Sequence, residues 1–315
     1  MINQSPILSI IVPCYNEEAV LSDTAKSLLK VLTQMIVENK ISDESRICFV
    51  NDGSQDKTWS IIERLTIKDN HFKGINLSRN FGHQGALLAG LFTIQADAFV
   101  TIDADLQDDE NAIIKMVDRF NEGIEIVYGV RDSRKSDTFF KRMTAVCFYK
   151  LIKILGAKII YNHADFRLMS SRVVENLKLF PEKNLFLRAL IPLLGFPSTQ
   201  VLFDRKPREK GESKYPFRKM LSFAWDGITS FSIVPLRFVT ILGLFTFLLS
   251  IPLIGYSMYR WFFGETVIGW TSLVTVVAMF SGVQLISVGI IGEYVGKIYK
   301  ETKARPNFII QEKIL

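Results

Sequence analysis

The chain has 315 residues, a formal net charge of +6 and a hydrophobic content of 48%. This length leaves room for one domain of ordinary size and an additional segment. The apolar excess lies mostly after Pro235, which argues against a wholly soluble enzyme. Three cysteines, an odd number that matches no metal-binding spacing, argue against a disulfide framework and favour a reducing compartment.

Short β-rich runs alternate with helical patterns in the first half of the chain. The predicted strands cover 8–12, 47–50, 73–77, 99–102 and 125–128. The predicted helices cover 18–38, 57–67, 84–95 and 110–121. This alternation predicts an α/β domain with a mostly parallel sheet, in which ligands bind beyond the carboxyl ends of the strands.

The predicted strand at 99–102 stops abruptly at a cluster of carboxylates. Asp103 and Asp105 point to the same side of an extended segment, and two such charges repel unless a cation lies between them. Carboxylate oxygens suit magnesium or manganese. The alternative, that aspartates cap the following helix, suits Asp108 or Asp109 but leaves Asp103 and Asp105 unexplained.

Three other predicted strands also end in polar segments, at 13–18, 51–56 and 78–82. Each segment has an ordinary structural explanation as a turn, a helix cap or a helix start. Their coincidence predicts one convergent site that recognises a base, ribose, phosphate or metal.

The C-terminal part contains two long segments without a charged residue, 238–259 and 266–292. Both exceed the roughly 20 apolar residues that cross a bilayer, so they are predicted to be two transmembrane helices. Lysines and arginines flank the pair on both sides, which places both flanks in the cytoplasm and a short loop around Gly264 outside. The N-terminal sequence has no signal-peptide pattern, so the large domain is expected in the cytosol.

Two basic segments that also carry apolar residues, 131–153 and 217–232, are predicted to be amphipathic helices at an anionic membrane surface. A solvated charged face on a core-facing helix is the alternative for the first of them. Nucleic acid is the usual rival explanation for basic stretches, but the predicted spans and the lack of a nucleic-acid motif argue against it.

The segments VPCYNEE, VNDGSQD, SRNFGHQGALLAG and DADLQDD, in this order, resemble the family 2 inverting glycosyltransferases, which have the GT-A nucleotide-sugar-binding fold. Three later segments, 128–131, 163–169 and 205–215, followed by the two predicted spans, resemble the polyprenyl-phosphate glycosyltransferases. That branch includes bactoprenol glucosyltransferases and dolichol-phosphate mannose synthases.

The resemblance implies a set of site residues. Asp103 and Asp105 would hold Mg²⁺ or Mn²⁺ on the pyrophosphate, and Gln107 would lie close to the sugar. Asp165 matches the position that the family uses as a base, and Asp165, Asp105 and Gln107 form the predicted catalytic set. The residues expected around the nucleotide sugar are Pro13, Tyr15, Asn16, Glu17, Asp52, Ser78, Arg79, Asn80, Asp103, Ala104 and Asp105. Those expected to bind phosphates, the lipid phosphate included, are Arg131, Arg205, Lys210, Ser213 and Lys214.

The role of Asp165 stays open, because a lipid phosphate is already anionic and needs little deprotonation. Asp165 can instead orient the acceptor or contact sugar hydroxyls. His83 and His163 are predicted to be ordinary packed or surface histidines.

The expected reaction transfers glucose from UDP-glucose to undecaprenyl phosphate with inversion. Transfer from GDP-mannose to a dolichol-type lipid, transfer of another UDP-sugar, and a non-catalytic nucleotide-sugar-binding membrane scaffold are the alternatives. The predicted organisation is a cytosolic GT-A domain (1–216), an interfacial helix (217–234), two spans (235–292) and a cytosolic tail (293–315). The expected setting is the inner membrane, with a homo-oligomer such as a tetramer and a separate flippase and downstream transferase as partners.

Overall fold

The computed structural model describes residues 5–105, 107–131, 163–180, 182, 187–203, 234–263 and 269–315. The chain divides into two compact units: the first comprises 1–150, 158–216 and 304–315, and the second comprises 151–157 and 217–303. The predicted interfacial helices fall almost entirely outside the described residues. So do four predicted phosphate ligands, Arg205, Lys210, Ser213 and Lys214.

The first unit is built on a sheet of eight strands within the described residues. They are β1 (Leu8–Cys14), β2 (Arg46–Asn51), β3 (Phe72–Leu77), β4 (Ala98–Thr101), β5 (Ile126–Arg131), β6 (His163–Ser170), β7 (Ser198–Phe203) and β8 (Ile310–Ile314). Their order across the sheet is β7-β5-β6-β4-β1-β2-β3-β8. Strands β6 and β8 run antiparallel to their neighbours, and the other six share one direction. The predicted α/β fold with a mostly parallel sheet is therefore confirmed.

Helices cover this sheet, which explains why its central strand is mostly apolar. All seven residues of β1 are buried, as expected for a parallel strand with both faces covered. The first four helices are α1 (Leu21–Val37), α2 (Thr58–Lys68), α3 (His83–Thr93) and α4 (Ala112–Asn121). Helix α1 buries apolar side chains at helical spacing, Leu21, Ala25, Leu28, Leu32 and Met35.

The five predicted strands and four predicted helices are all present, with ends displaced by a few residues. Helix α1 begins at Leu21 rather than at Glu18, and the Glu18 carboxylate instead accepts a hydrogen bond from the backbone N–H of Lys57. Strands β6, β7 and β8 were not predicted. The charged residues within β6 and β8 hide the alternation of polar and apolar residues that identifies a strand.

Among the described residues, the first unit also contains two short helices, α5 (Ser171–Leu177) and α6 (Leu187–Leu193), and the second contains two long ones, α7 (Val234–Phe262) and α8 (Trp270–Thr302). Within the described residues, Met279–Thr302 is the one helical stretch long and apolar enough to cross a membrane. The apolar stretch Val234–Thr246 is shorter. Helix α8 continues ten residues beyond 292, where the predicted second span ends.

Candidate active site

The loops that follow β1, β2 and β4 meet at one edge of the sheet because these strands are parallel neighbours. Cys14 at the end of β1 lies beside Asn51 at the end of β2, and Ile11 lies beside Thr101 at the end of β4. The convergence of these strand ends is as the sequence predicted.

Hydrogen bonds join the loop after β1 to the loop after β2. Asn16 has a positive φ of 56°, donates its backbone N–H to Ser54 Oγ at 2.9 Å, and accepts the backbone N–H of Gln55 at 2.9 Å. The backbone N–H of Glu17 donates to Thr58 Oγ1, also at 2.9 Å. Asn16 therefore shapes the loop, whereas the Tyr15 ring beside it is 44% exposed.

Asp52 joins the loop after β2 to the loop after β3. Its carboxylate is buried and accepts the backbone N–H of Phe81 at 2.7 Å. Burial raises the pKa of Asp52, while the hydrogen bonds from the N–H groups of Phe81 and Gly82 oppose this effect. The predicted ligands Ser78, Arg79 and Asn80 are exposed on this loop, and Pro13 is buried at the end of β1.

Gly53 lies where these two loops approach most closely. Its φ is +66°, and a Cβ atom at this position would lie 2.4 Å from the carbonyl carbon of Arg79. A glycine is therefore required here for both backbone conformation and space.

The predicted metal ligands follow β4 directly. The Asp103 side chain is 40% exposed, and the Asp105 carboxylate accepts the backbone N–H of Gln107 at 3.2 Å. Desolvation raises the pKa of Asp103, and the nearby carboxylates of Asp165 and Asp105 raise it further, while His83 lowers it. Gln107 is buried and so is Ala104, whose carbonyl accepts the hydroxyl of Thr24 at 2.7 Å.

This pair of carboxylates fits a hard divalent cation. Among the described residues, no group of three His, Cys, Asp or Glu side chains forms a complete metal cage. A magnesium-type site with one or two carboxylates takes its remaining ligands from water and substrate phosphates, which agrees with a pair. The mutual repulsion that raises the pKa of Asp103 is also what a bound cation would relieve.

Strand β6 brings Asp165 to the same edge because it runs antiparallel to β4. Arg167 of β6 is paired with Thr101 on β4 and with Tyr128 on β5. Since His163 is paired with Val130, residues 164–166 bulge opposite one residue of β5. Such bulges redirect side chains, and this one contains Asp165.

Two arginines surround the Asp165 carboxylate. Arg167 donates a short hydrogen bond to Oδ1, and Arg188 of α6 donates from Nε to Oδ1 at 3.2 Å and from Nη2 to Oδ2 at 2.8 Å. Burial alone would raise the pKa of Asp165, but the two guanidinium groups prevail and hold it well below its usual range. Asp165 is therefore an ionised carboxylate at neutral pH.

His83 lies between the two acidic positions. Its Nε2 is 3.5 Å from Asp103 Oδ1 and 3.9 Å from Asp165 Oδ2. That His83 is an ordinary packed or surface histidine stays a prediction; its side chain is 42% exposed and lies at the start of α3, at the edge of the sheet where β4 ends. His163 begins β6.

A sequence profile of glycosyl transferase family 2 matches residues 9–178, which include every element of this site except Arg188. The chain belongs to glycosyl transferase family 2.

Full-length relatives agree with this assignment. The Bacillus subtilis glycosyltransferase YkoT is 50% identical over 313 residues, which cover 98% of this chain and 93% of that protein. The bactoprenol glucosyl transferase of Shigella phage SfX is 40% identical over 313 residues, which cover 97% of this chain and 99% of that protein.

The solved structure of glucosyl-3-phosphoglycerate synthase from Mycobacterium tuberculosis has a TM-score of 0.47 and 17% identity, covering 72% of this chain and 79% of that one.

Asp108 and Asp109 of this glycosyltransferase, the two candidate helix caps, have different partners. Arg131, a predicted phosphate ligand at the end of β5, donates to Asp108 at 3.2 Å. Asp108 is buried in this contact, whereas Asp109 accepts hydrogen bonds from Asn111 just before α4. The N-cap residue of α4 is Asn111, so Asp109 forms a turn just before the helix and neither aspartate is its N-cap.

The glycosyltransferase site also contains three residues that were not predicted, His83, Arg167 and Arg188. His83 and Arg167 lie inside motifs that carry the resemblance, and this location is the sequence signal that connects them to the site. Arg188 lies in no such motif, and nothing in its local sequence connects it to Asp165.

Proposed function

We propose that this glycosyltransferase transfers glucose from UDP-glucose to undecaprenyl phosphate, with inversion, at the cytoplasmic face of the membrane. The observation that carries the proposal is the meeting of Asp103, Asp105 and Asp165 beside loops suited to a nucleotide. The 40% identity to a bactoprenol glucosyl transferase across almost the whole chain supports both the lipid acceptor and the sugar.

The reaction is a single displacement. An oxygen of the lipid phosphate attacks the anomeric carbon from the side opposite the diphosphate, and a carbon–oxygen bond forms there. The bond from that carbon to the diphosphate oxygen breaks, and its electron pair leaves with UDP. The configuration at the anomeric carbon is inverted because one attack from the opposite side replaces the leaving group.

Proton transfer contributes little to this step. A phosphate monoester has a second pKa near 6, so the acceptor is largely a dianion at neutral pH. Asp165, held ionised by two arginines, is suited to orienting the acceptor or the sugar hydroxyls.

Asp103 and Asp105 would hold Mg²⁺ or Mn²⁺ on the donor diphosphate. A bound cation would neutralise the negative charge that develops on the departing UDP. Gln107 is proposed on the sugar side of this pair, and Ala104 lies between the two ligands in the chain. The nucleoside is proposed to lie among Pro13, Tyr15, Asn16, Glu17, Asp52, Ser78, Arg79 and Asn80.

Acceptor phosphate binding is proposed for four cationic residues and one serine. Arg131 is about one-third exposed beside Asp108, so its guanidinium is accessible to a ligand. Arg205, Lys210, Ser213 and Lys214 complete this proposed set by their resemblance to the family pattern.

The pairing of β8 with β3 supports two membrane crossings. Strand β7, which precedes α7, and strand β8, which follows α8, belong to one sheet. The chain between these two strands therefore crosses a bilayer an even number of times or not at all. Met279–Thr302 is apolar enough to cross, and we propose that α7 provides a second crossing beside it. Helix α7 has 29 residues, about 44 Å at 1.5 Å per residue, which exceeds the hydrocarbon thickness.

Lysines and arginines on both flanks favour a cytoplasmic location for the sheet and for both termini. Two spans per chain form no conduit for a lipid-linked sugar, so the proposal includes a separate flippase and a downstream transferase. A homo-oligomer is included as well, with the small residues Gly289, Gly292 and Gly296 of α8 suited to close helix contact.

Purified full-length protein is incubated with undecaprenyl phosphate, Mg²⁺ or Mn²⁺, and a panel of labelled UDP- and GDP-sugars, and the lipid is then extracted. We expect label in the lipid from UDP-glucose, in a β linkage. Preferential transfer from GDP-mannose or another UDP-sugar would replace the proposed donor. Metal-dependent nucleotide binding without transfer from any donor would favour the non-catalytic scaffold and reject the enzymatic proposal.

A further inference from the structure

The Asp165 carboxylate is held by guanidinium groups from two different elements. Arg167 is two residues away on β6 and almost fully buried. Arg188 reaches it from α6 with a 40% exposed side chain, and its Nε and Nη2 donate to the two carboxylate oxygens at 3.2 and 2.8 Å. Paired contacts of this kind fix the plane of a carboxylate as well as neutralising its charge.

Arg188 is itself held in place next to the start of α3. The preceding backbone N–H, that of Leu187, donates to Gln84 Oε1 at 3.0 Å. Leu187, Leu190 and Ile191 are buried and anchor α6 to the first unit. Gln84 follows His83 in the chain, so the start of α3 both carries His83 and supports the segment of Arg188.

This arrangement leaves the Asp165 carboxylate little freedom to act as a base. An ionised carboxylate has about four acceptor positions, and three are occupied by the arginine donors. The remaining side of Oδ2 faces His83 at 3.9 Å. With its two arginines Asp165 forms a group of net charge +1, and this group lies near the carboxylate of Asp103.

We propose that Arg188 is a positioning residue that fixes the orientation of the Asp165 carboxylate for an anionic acceptor. Arg167 holds the carboxylate from inside the sheet, and Arg188 holds it from the accessible side. Removing Arg188 frees the carboxylate to rotate about its side-chain bonds while leaving Asp103 and Asp105 in place. The inference rests on the proposed transfer to a lipid phosphate.

A double-mutant cycle tests this role, with Arg188→Gln, Asp165→Asn and the two together. Transfer from UDP-glucose to undecaprenyl phosphate gives kcat and KM, and calorimetry with UDP and Mn²⁺ gives donor-site affinity. We expect Arg188→Gln to lower kcat by about 100-fold, the scale associated with a misplacement of about 1 Å. UDP affinity should stay within about twofold, and the double variant should be no slower than the slower single variant.

Two further variants separate orientation from charge. Arg188→Lys keeps the positive charge but lacks the planar pair of donors, so kcat should remain at least about tenfold below wild type. Full rescue by lysine would overturn the positioning role. Arg172→Gln is the matched control, since Arg172 is an exposed arginine that pairs with Glu125 at 3.1 Å, and it should behave as wild type. Wild-type kcat in Arg188→Gln, or losses that multiply in the double variant, would also overturn the inference.

A separate measurement distinguishes failure of the proposed function from failure of the positioning role of Arg188. If the wild-type protein labels no lipid from any donor, the proposed function fails, and the cycle is then measured on thermal unfolding of the full chain. Shifts in Tm that are smaller in the double variant than the sum of the singles support the Asp165–Arg188 contact. Additive shifts reject it.

Discussion

Arg131 Nη2 donates to Asp108 Oδ1 across 3.2 Å, and this contact joins the end of β5 to the segment that carries the proposed metal ligands. The Asp108 side chain is 3% exposed, whereas that of Arg131 is 29% exposed. The carboxylate is therefore buried by the fold, and its partner remains accessible at the surface of the site.

This burial makes the stability of the protein depend on pH. Burial raises the pKa of Asp108 from 3.8 to about 6, although Arg131 opposes the rise. Because the native pKa lies above the unfolded one, the associated stability is fully present below pH 3.8 and is lost as the pH rises through 6. Asp108→Asn should thus gain stability relative to wild type between pH 4 and pH 7, by on the order of 3 kcal/mol at 1.36 kcal/mol per pKa unit.

Thermal unfolding of the full chain in detergent at pH 4 and at pH 7 measures the stability of Asp108→Asn relative to wild type. Asp23→Asn removes an exposed carboxylate on α1 and leaves the Asp108–Arg131 contact intact, so it is the matched control. An Asp108→Asn variant whose advantage does not grow with pH would refute the prediction.

Gly53→Ala should disrupt the two loops that are proposed to hold the nucleotide. Gly123→Ala provides the control, because Gly123 also has a positive φ but a Cβ atom added there would meet no other atom within 4 Å. The control should lose roughly 1–2 kcal/mol for the left-handed backbone alone. Gly53→Ala should lose about 1–3 kcal/mol more, because the new methyl group overlaps the backbone of Arg79.

Denaturant unfolding gives the two stabilities, and calorimetry with UDP gives the affinity. UDP binding should weaken in Gly53→Ala and be retained in Gly123→Ala. Equal effects in the two variants would show that the close approach of the loops is unimportant.

The thiols of Cys14 and Cys48 should be unreactive in the native protein. Both are buried; burial raises the pKa of Cys48 to about 12 and that of Cys14 well above its usual value. Since the thiolate is the reactive form, a thiol reagent at pH 8 should label neither residue.

The test uses the variant Cys147→Ser, so that Cys14 and Cys48 are the two cysteines left to label. Native protein should show no labelled cysteine, and denatured protein should show two. Rapid labelling of either residue under native conditions would mean that the sheet opens at its centre.

Asp105→Asn should nearly abolish transfer and weaken Mn²⁺ binding in the presence of UDP, because one of the two proposed ligand carboxylates is lost. EDTA should inhibit the wild type, and added Mn²⁺ should restore it. Asp109→Asn is the control, since that carboxylate contacts Asn111 before α4. Wild-type activity and Mn²⁺ affinity in Asp105→Asn would remove the metal assignment.

Much of the fold was predictable because its signals are local. The apolar runs of β1 to β5 and the helical spacing in α1 are visible within short windows, as are the turn residues between them. Strand β8 escaped prediction because its register depends on β3, more than 200 residues earlier. Its five residues carry no strong pattern of their own.

The residues of the candidate site also divide into those that local motifs predict and those that only the fold brings together. Asp103, Asp105 and Asp165 were predicted from motifs, whereas Arg188 and the proximity of His83 to Asp103 and Asp165 were not. His83 precedes Asp165 by more than 80 residues, and Arg188 follows it by 23. Contacts over such separations depend on how the strands are ordered.

The sequence by itself determined that this chain contains a mostly parallel α/β domain, acidic residues at a strand end and long apolar segments near its C-terminus. These properties follow from the spacing of residues along a short stretch of chain. Only the tertiary structure decided that β6 lies antiparallel beside β4 and that α6 places Arg188 against Asp165. The physical reason is that the packing of the whole sheet, rather than any local preference, determines which distant side chains share a buried space.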